Sequence, residues 1–96
     1  MRRLYIITYD VCDAKRLRKV FKIMRGFGDH LQLSVFRADL SNKERVLLLS
    51  KLDEVIHHTE DQVLVFPVGP AGGELEKEIV ALGKPYEPSE RFAVVV

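Results

Sequence analysis

Cysteine is almost absent from this chain. Cys12 is the only one in 96 residues, so an intramolecular disulfide and a cysteine-based metal cluster are both excluded, and a reducing cytoplasm suits the composition. Long hydrophobic runs are missing as well. No stretch approaches the roughly 20 apolar residues of a membrane span, and 47% hydrophobic with 30% charged residues is the balance of an ordinary soluble domain, so no membrane partner is expected. The basic start MRRLYIITYD leads into a short apolar run that meets Asp10 where a secretion signal would have small residues, and it reads as a strand. The glycine-rich GPAGG at 69–73 lacks the lysine and the Ser/Thr of a phosphate loop and reads as a turn. No charge sign dominates: the net charge is +1, yet residues 1–48 hold most of the Lys and Arg and residues 49–96 most of the Asp and Glu. The placement of charge therefore says more than its sum.

A chain of 96 residues has room for a single domain, 1–96, whose core hides roughly two thirds of the unfolded surface. Residues 4–11 are apolar on both alternation sets, with Leu4, Ile6 and Thr8 on one and Tyr5, Ile7, Tyr9 and Val11 on the other. That is the pattern of a strand buried on both faces. Asp13 is placed to cap a helix in which Leu17, Val20, Phe21, Met24 and Phe27 recur at helical spacing, until Gly26 and Gly28 end it. HLQLSVFRADL, residues 30–40, alternates again as one bent strand or two short ones. SNKE at 41–44 is a capping box, and Leu48, Leu49, Leu52, Val55 and Ile56 follow it as an apolar stripe. QVLVFPV at 62–68 is a further strand, in which Pro67 marks an edge or a bulge.

EIVALG at 78–83 reads as a strand, and RFAVVV closes the chain with an apolar segment that needs a partner. The order predicts an α/β (α+β) fold, a ferredoxin-like βαββαβ sandwich with an additional C-terminal strand. Two helices cover only one face of such a sheet. A second copy of the chain is the simplest cover for the other face, which predicts a homodimer packed through its sheets.

The first helix carries Lys15, Arg16, Arg18, Lys19, Lys22 and Arg25 with no acid between them, although cations are disfavoured near a helix N-terminus. A nucleic-acid backbone would offset that, and a solvated helix face accounts for the same pattern. Asp10 ends the first strand just before this helix. Because Asp13 is better placed to cap, Asp10 is free to act as a hard oxygen ligand for Mg²⁺ or Mn²⁺ beside phosphate-binding cations. One carboxylate holds a divalent ion poorly, so a two-fold axis near Asp10 would have to bring a second copy. Cys12 has no base fixed beside it and reads as a buried or loop thiol. His57 and His58, with Glu60 and Asp61, resemble metal ligands, but at a helix C-terminus two histidines also complement the dipole.

YDV at 9–11, KRLRKV at 15–20 and HLQLSVF at 30–36, in this order and spacing, resemble the CRISPR-associated adaptation endonuclease family, the small dimeric partner of the spacer integrase. The resemblance implies a homodimer in which the segment 78–96 pairs with the other subunit's sheet. It also implies a metal-dependent endonuclease acting on single-stranded RNA or double-stranded DNA, and a scaffold that holds a DNA protospacer for the integrase subunit. Tyr9 and Asp10 match the family's strand-end motif and would be catalytic, with Asp10 from both chains holding Mg²⁺. Ser34 and Phe36 match the motif SVF, and Arg16, Arg18 and Lys19 are the implied nucleic-acid contacts. His30 stands where many relatives carry arginine, which would make a contact there weaker or pH-sensitive. Three other readings stay open at this stage: a non-catalytic scaffold, a toxin-type endoribonuclease of the same fold, and a single-strand RNA-binding module with Tyr5 and Tyr9 as a stacking platform.

Overall fold

Alternation at period two builds the centre of the molecule. In the computed structural model, which describes residues 2–70, 72 and 75–85, the strand β1 (Arg3–Asp10) buries Tyr5, Ile7 and Tyr9 on one face. β3 (Val35–Leu40) pairs with it antiparallel, setting Phe36 opposite Ile7 and Ala38 opposite Tyr5, so that both strands present their apolar set to the same side. β4 (Gln62–Pro70) flanks β1 on its other edge, and β2 (Asp29–Gln32) flanks β3. The sheet order is β2-β3-β1-β4, with every neighbouring pair antiparallel.

Two helices close the apolar side. α1 (Ala14–Phe27) starts at Asp13, whose carboxylate accepts the Arg16 backbone N–H at 2.9 Å, and it buries Val20 and Met24. α2 (Asn42–Val55) starts with the expected capping box. Glu44 N–H donates to Ser41 Oγ at 3.1 Å, and Ser41 N–H donates to Glu44 Oε1 at 2.8 Å. α2 buries Leu48 and Leu52 against the same core. Strand, helix, two strands, helix and strand in this sheet order make the ferredoxin-like sandwich that the sequence pattern predicts.

Several details differ from the sequence reading. Residues 30–40 are two strands, separated by a turn at Leu33 and Ser34. Gly26 lies inside α1, and Gly28 alone ends the helix. β4 runs through Pro70, so the turn starts later than GPAGG suggested; the bulge expected near Pro67 is present, because Tyr5 pairs with Pro67 while Leu4 pairs with Gly69. Residues 78–83 are not a strand. A single helical turn, α3 (Leu75–Glu78), precedes them, and 79–85 runs without strand pairing, leaving Val80 and Leu82 exposed. An apolar run of this length has no periodicity to distinguish strand from coil, and the Glu/Lys-rich residues before it favour a helical turn. RFAVVV, and with it the exchange of a C-terminal strand, lies outside the described residues.

β1 is also not buried on both faces by the described residues. Leu4 is buried on the second face, but Ile6 and Thr8 are only partly covered, and their β4 partners Phe66 and Leu64 are exposed. The open face of the sheet is therefore apolar at its middle and along the β4 edge.

Gly28 is held by close approach: a Cβ there would lie 2.2 Å from the Arg37 carbonyl oxygen and 3.0 Å from Ala38 Cβ, whereas at Gly26 it would meet nothing within 4 Å. We predict opposite effects of alanine at the two positions. Gly26→Ala should stabilise the fold by about 0.5–1 kcal/mol through helix propensity, and Gly28→Ala should destabilise it by about 1–3 kcal/mol through overpacking against backbone. Denaturant melts of the two variants check this, and equal effects would mean that the Gly28 contact relaxes freely.

Candidate nucleic-acid interface and metal site

The end of β1 divides its two candidate catalytic residues between opposite sides of the sheet. Asp10 belongs to the alternation set of Ile6 and Thr8 and so stands on the open face, exposed, making no hydrogen bond or ion pair to a described residue. Tyr9 points the other way, under the helices, where its ring stacks against Phe36 with centroids 6.2 Å apart. The strand-end pair of the sequence motif is thus not one constellation. Tyr5 is buried on the same helix-covered face, so a stacking platform of Tyr5 and Tyr9 on the open sheet does not exist.

The loop after Asp10 is fixed by a carboxylate that the sequence reading passed over as a possible metal ligand. The Asp61 side chain is fully enclosed. It accepts the Arg16 guanidinium through Nε at 2.7 Å and Nη2 at 3.1 Å, and the backbone N–H groups of Cys12 at 3.0 Å and His57 at 2.7 Å. The Cys12 thiol donates to the Glu60 carbonyl at 3.0 Å, and Arg16 reaches the Glu60 carboxylate at 3.3 Å. The guanidinium and the two backbone donors hold the Asp61 carboxyl well below the usual carboxylate range, and Asp61 in turn raises Arg16 above its ordinary value. Arg16, expected as a nucleic-acid contact, is therefore a clamp between α1 and the turn before β4. The signal that could have found this was an acid directly before a strand that flanks β1, facing a helix N-terminus rich in cations. No group of three or more potential metal-ligating side chains occurs among the described residues, so His57, His58, Glu60 and Asp61 do not form a metal centre. His58 Nε2 instead meets the Asp53 carbonyl at 3.2 Å near the end of α2.

The remaining helix-one cations gather around a groove. Lys15, Arg18, Lys19 and Lys22 rim a depression of about 730 Å³ between α1 and the β2–β3 turn. None of the four has an ion-pair partner among the described residues, whereas Arg25 lies over the Phe21 ring at 5.3 Å. The groove's lining is largely apolar, with buried Tyr9 and partly buried Phe21 joined by the more exposed Leu17 and Leu33, and with His30 and Ser34 beside them. Burial raises the Tyr9 pKa, so its hydroxyl is a proton donor at neutral pH, and it makes no hydrogen bond to a described residue. His30 Nε2 lies 2.9 Å from the Leu33 carbonyl, and its ring packs edge-on to Phe21 and tilted over Phe36.

Of the residues expected at the interface, the structure thus brings Arg18, Lys19, His30 and Ser34 together in one groove with Tyr9. It leaves out Arg16, Asp10 and Phe36. Phe36 is fully buried and cannot touch a ligand; it is the base on which Tyr9, Phe21 and His30 pack. Lys15, Lys22, Leu17, Phe21 and Leu33 are the members that the motif resemblance did not single out.

A single exposed carboxylate of this kind suits a hard divalent cation chemically but supplies too few ligands to hold one. Asp10 fits such an ion only if further ligands face it, and no group of three or more among the described residues supplies them.

Comparison with known proteins identifies a family and a shared fold. The family model described as CRISPR associated protein Cas2 matches residues 1–72. A CRISPR-associated endoribonuclease Cas2 of Geobacter sulfurreducens is 38% identical over 96 residues, the full length of both chains. CRISPR-associated endoribonuclease Cas2 1 of Rhodospirillum rubrum is 39% identical over 92 residues, covering 96% of this chain and 89% of that one. Among solved structures, Streptococcus pyogenes Cas2 at pH 6.5 superposes with a TM-score of 0.73 at 27% identity, covering 83% of this chain and 99% of that one. A hypothetical protein from Thermus thermophilus shares the fold with a TM-score of 0.74 at 24% identity, covering 91% of this chain and all of its own.

The Asp61 clamp generates a pH-dependent prediction. Its folded-state pKa is depressed, so its contribution to stability is full above the ordinary aspartate value of about 4 and is lost as pH falls through that range toward the folded pKa. Asp61→Asn should therefore melt several degrees below the parent protein at neutral pH, with the gap closing between about pH 5 and pH 2. A thermal-melt series over that range checks this, and a gap independent of pH would show that the ionised clamp is not what stabilises the loop.

Proposed function

This chain belongs to the Cas2 family of CRISPR-associated proteins, and from that premise we propose that it is a dimeric, metal-dependent endonuclease that cuts phosphodiester bonds in single-stranded RNA or double-stranded DNA. The proposal extends to a second role in CRISPR adaptation, in which the same dimer binds a DNA protospacer and docks on the integrase subunit. The observation that carries the nuclease reading is the state of Asp10. At the strand end, Asp13 is occupied in capping and Asp61 in the clamp, while Asp10 is exposed and uncommitted.

The open sheet face supports the dimer. Ile6, Leu64 and Phe66 leave it apolar, and Asp10 stands on that same face at the end of the central strand. A second copy packed there around a two-fold axis would cover the apolar surface and set one Asp10 toward another. Asp10 of both chains would then hold Mg²⁺, or Mn²⁺, which on binding supplies an activated water and neutralises charge on the phosphate under attack. The chain's own residues do the rest. The Asp61 clamp holds the loop that follows Asp10, fixing the carboxylate's backbone. Lys15, Arg18, Lys19 and Lys22, without ion-pair partners among the described residues, bind and orient the phosphate backbone on the helix side.

Asp10→Asn removes the charge and keeps the shape. We predict that the variant stays dimeric by light scattering and loses at least about a hundredfold in metal-dependent cleavage, the upper end of what outer-shell changes cost at metal sites. Full cleavage by the purified variant would take Asp10 out of the mechanism, and a monomeric parent protein would remove the two-chain site.

A further inference from the structure

The groove between α1 and the β2–β3 turn has a chemistry that phosphate binding alone does not explain. Cations that hold a nucleic-acid backbone need only an exposed surface, yet these surround an interior that is largely apolar. Leu33, at the tip of the turn, is 85% exposed, and Leu17 across from it is 37% exposed, so two large apolar side chains face solvent at the mouth of the groove. Phe21 and Tyr9 line the same groove, and the Tyr9 hydroxyl is without a partner among the described residues. Among the described residues no acidic side chain lines the groove, and its volume of about 730 Å³ lies within the usual ~300–1,000 Å³ range of small-ligand sites. The occupant that matches an apolar lining with an aromatic ring, a hydroxyl donor and a cationic rim is a planar heterocycle carrying negative charge on its flank.

We infer that this groove receives one unstacked nucleobase of a bound strand, inserted between Leu17 and Leu33, with its neighbouring phosphates on Arg18 and Lys19. The inference rests on the nucleic-acid reading proposed above and adds a base-binding subsite to it. A base within a continuous duplex is stacked and paired, so it cannot enter; an unpaired base or a frayed end can. The site therefore favours single-stranded over fully paired segments, and the preference is sequence-tolerant, because stacking and apolar contact use the face that every base has. Tyr9 would donate one hydrogen bond to an acceptor on the base edge.

The test separates base from phosphate. Fluorescence anisotropy would compare a labelled ten-nucleotide oligo-dT with a chain of the same length and phosphate count made of abasic sites, using the full-length Asp10→Asn protein so that nothing is cut. The abasic chain should bind about tenfold more weakly, the loss expected for one base contact, while both chains show the same dependence on salt. Leu33→Ala, at an exposed turn position, and Leu17→Ala should each remove most of that difference. Equal binding of the two chains by the parent protein overturns the inference and leaves the nucleic-acid reading standing. A base preference untouched by both leucine variants overturns the location. Binding of neither chain also overturns the inference, and if an RNA and a DNA duplex of the same length fail to bind as well, the nucleic-acid reading itself falls.

Discussion

The enclosed Asp61 carboxylate is the contact around which this end of the molecule is arranged. Its four hydrogen-bond donors come from three separate pieces of chain: the loop after β1, the first turn of α1, and the turn that follows α2. Asp61 immediately precedes Gln62, which pairs with Asp10 in the last rung of the β1–β4 ladder. One ionised group thus joins the end of the central strand to the start of the basic helix. A carboxylate shut away from water is costly unless its lone pairs are filled, and the guanidinium fork with two backbone N–H groups fills them. The same arrangement accounts for a cation in the first turn of a helix, where the dipole disfavours it.

The fold was legible in the sequence because local signals agreed with one another. The apolar run in residues 4–11, the Asp13 cap and the Ser41–Glu44 box each act over a few residues, and the structure forms a strand at Arg3–Asp10 and both caps where these signals lie. What escaped were matters of direction and of long-range partnership. Both alternation sets of β1 are apolar, so its pattern could not say that Tyr5 and Tyr9 lie under the helices while Asp10 looks the other way. Arg16 looked like its basic neighbours on α1, and only a residue 45 positions later sets it apart. Phe36 sits in a motif beside Ser34, yet the pleat sends it inward as the base of an aromatic cluster. Residues 78–83 lacked any periodicity to read.

The sheet keeps two kinds of chemistry apart. On the open face stands a carboxylate with apolar neighbours, and on the helix-covered side a cationic groove opens beside the strand's end. Consecutive residues, Tyr9 and Asp10, serve the two sides, and the thickness of one sheet lies between them. Asp10 on its face and the cations of α1 on theirs are thus linked through the single loop that Asp61 holds, and not through side-chain contact.

α1 is gripped at both ends. Asp13 and the Asp61–Arg16 pair hold its start, and the backbone of Gly28, pressed against the Arg37 carbonyl, holds its end. The helix consequently has one permitted rotation about its own axis. Each residue of an α-helix advances by about 100°, so a single insertion or deletion between the grips would carry Arg18 and Lys19 away from the groove and swing Val20 and Met24 out of the core. The length of this helix is in that sense fixed: even an added turn, which nearly restores the direction of its charged stripe, would carry one end about 5.4 Å from its grip.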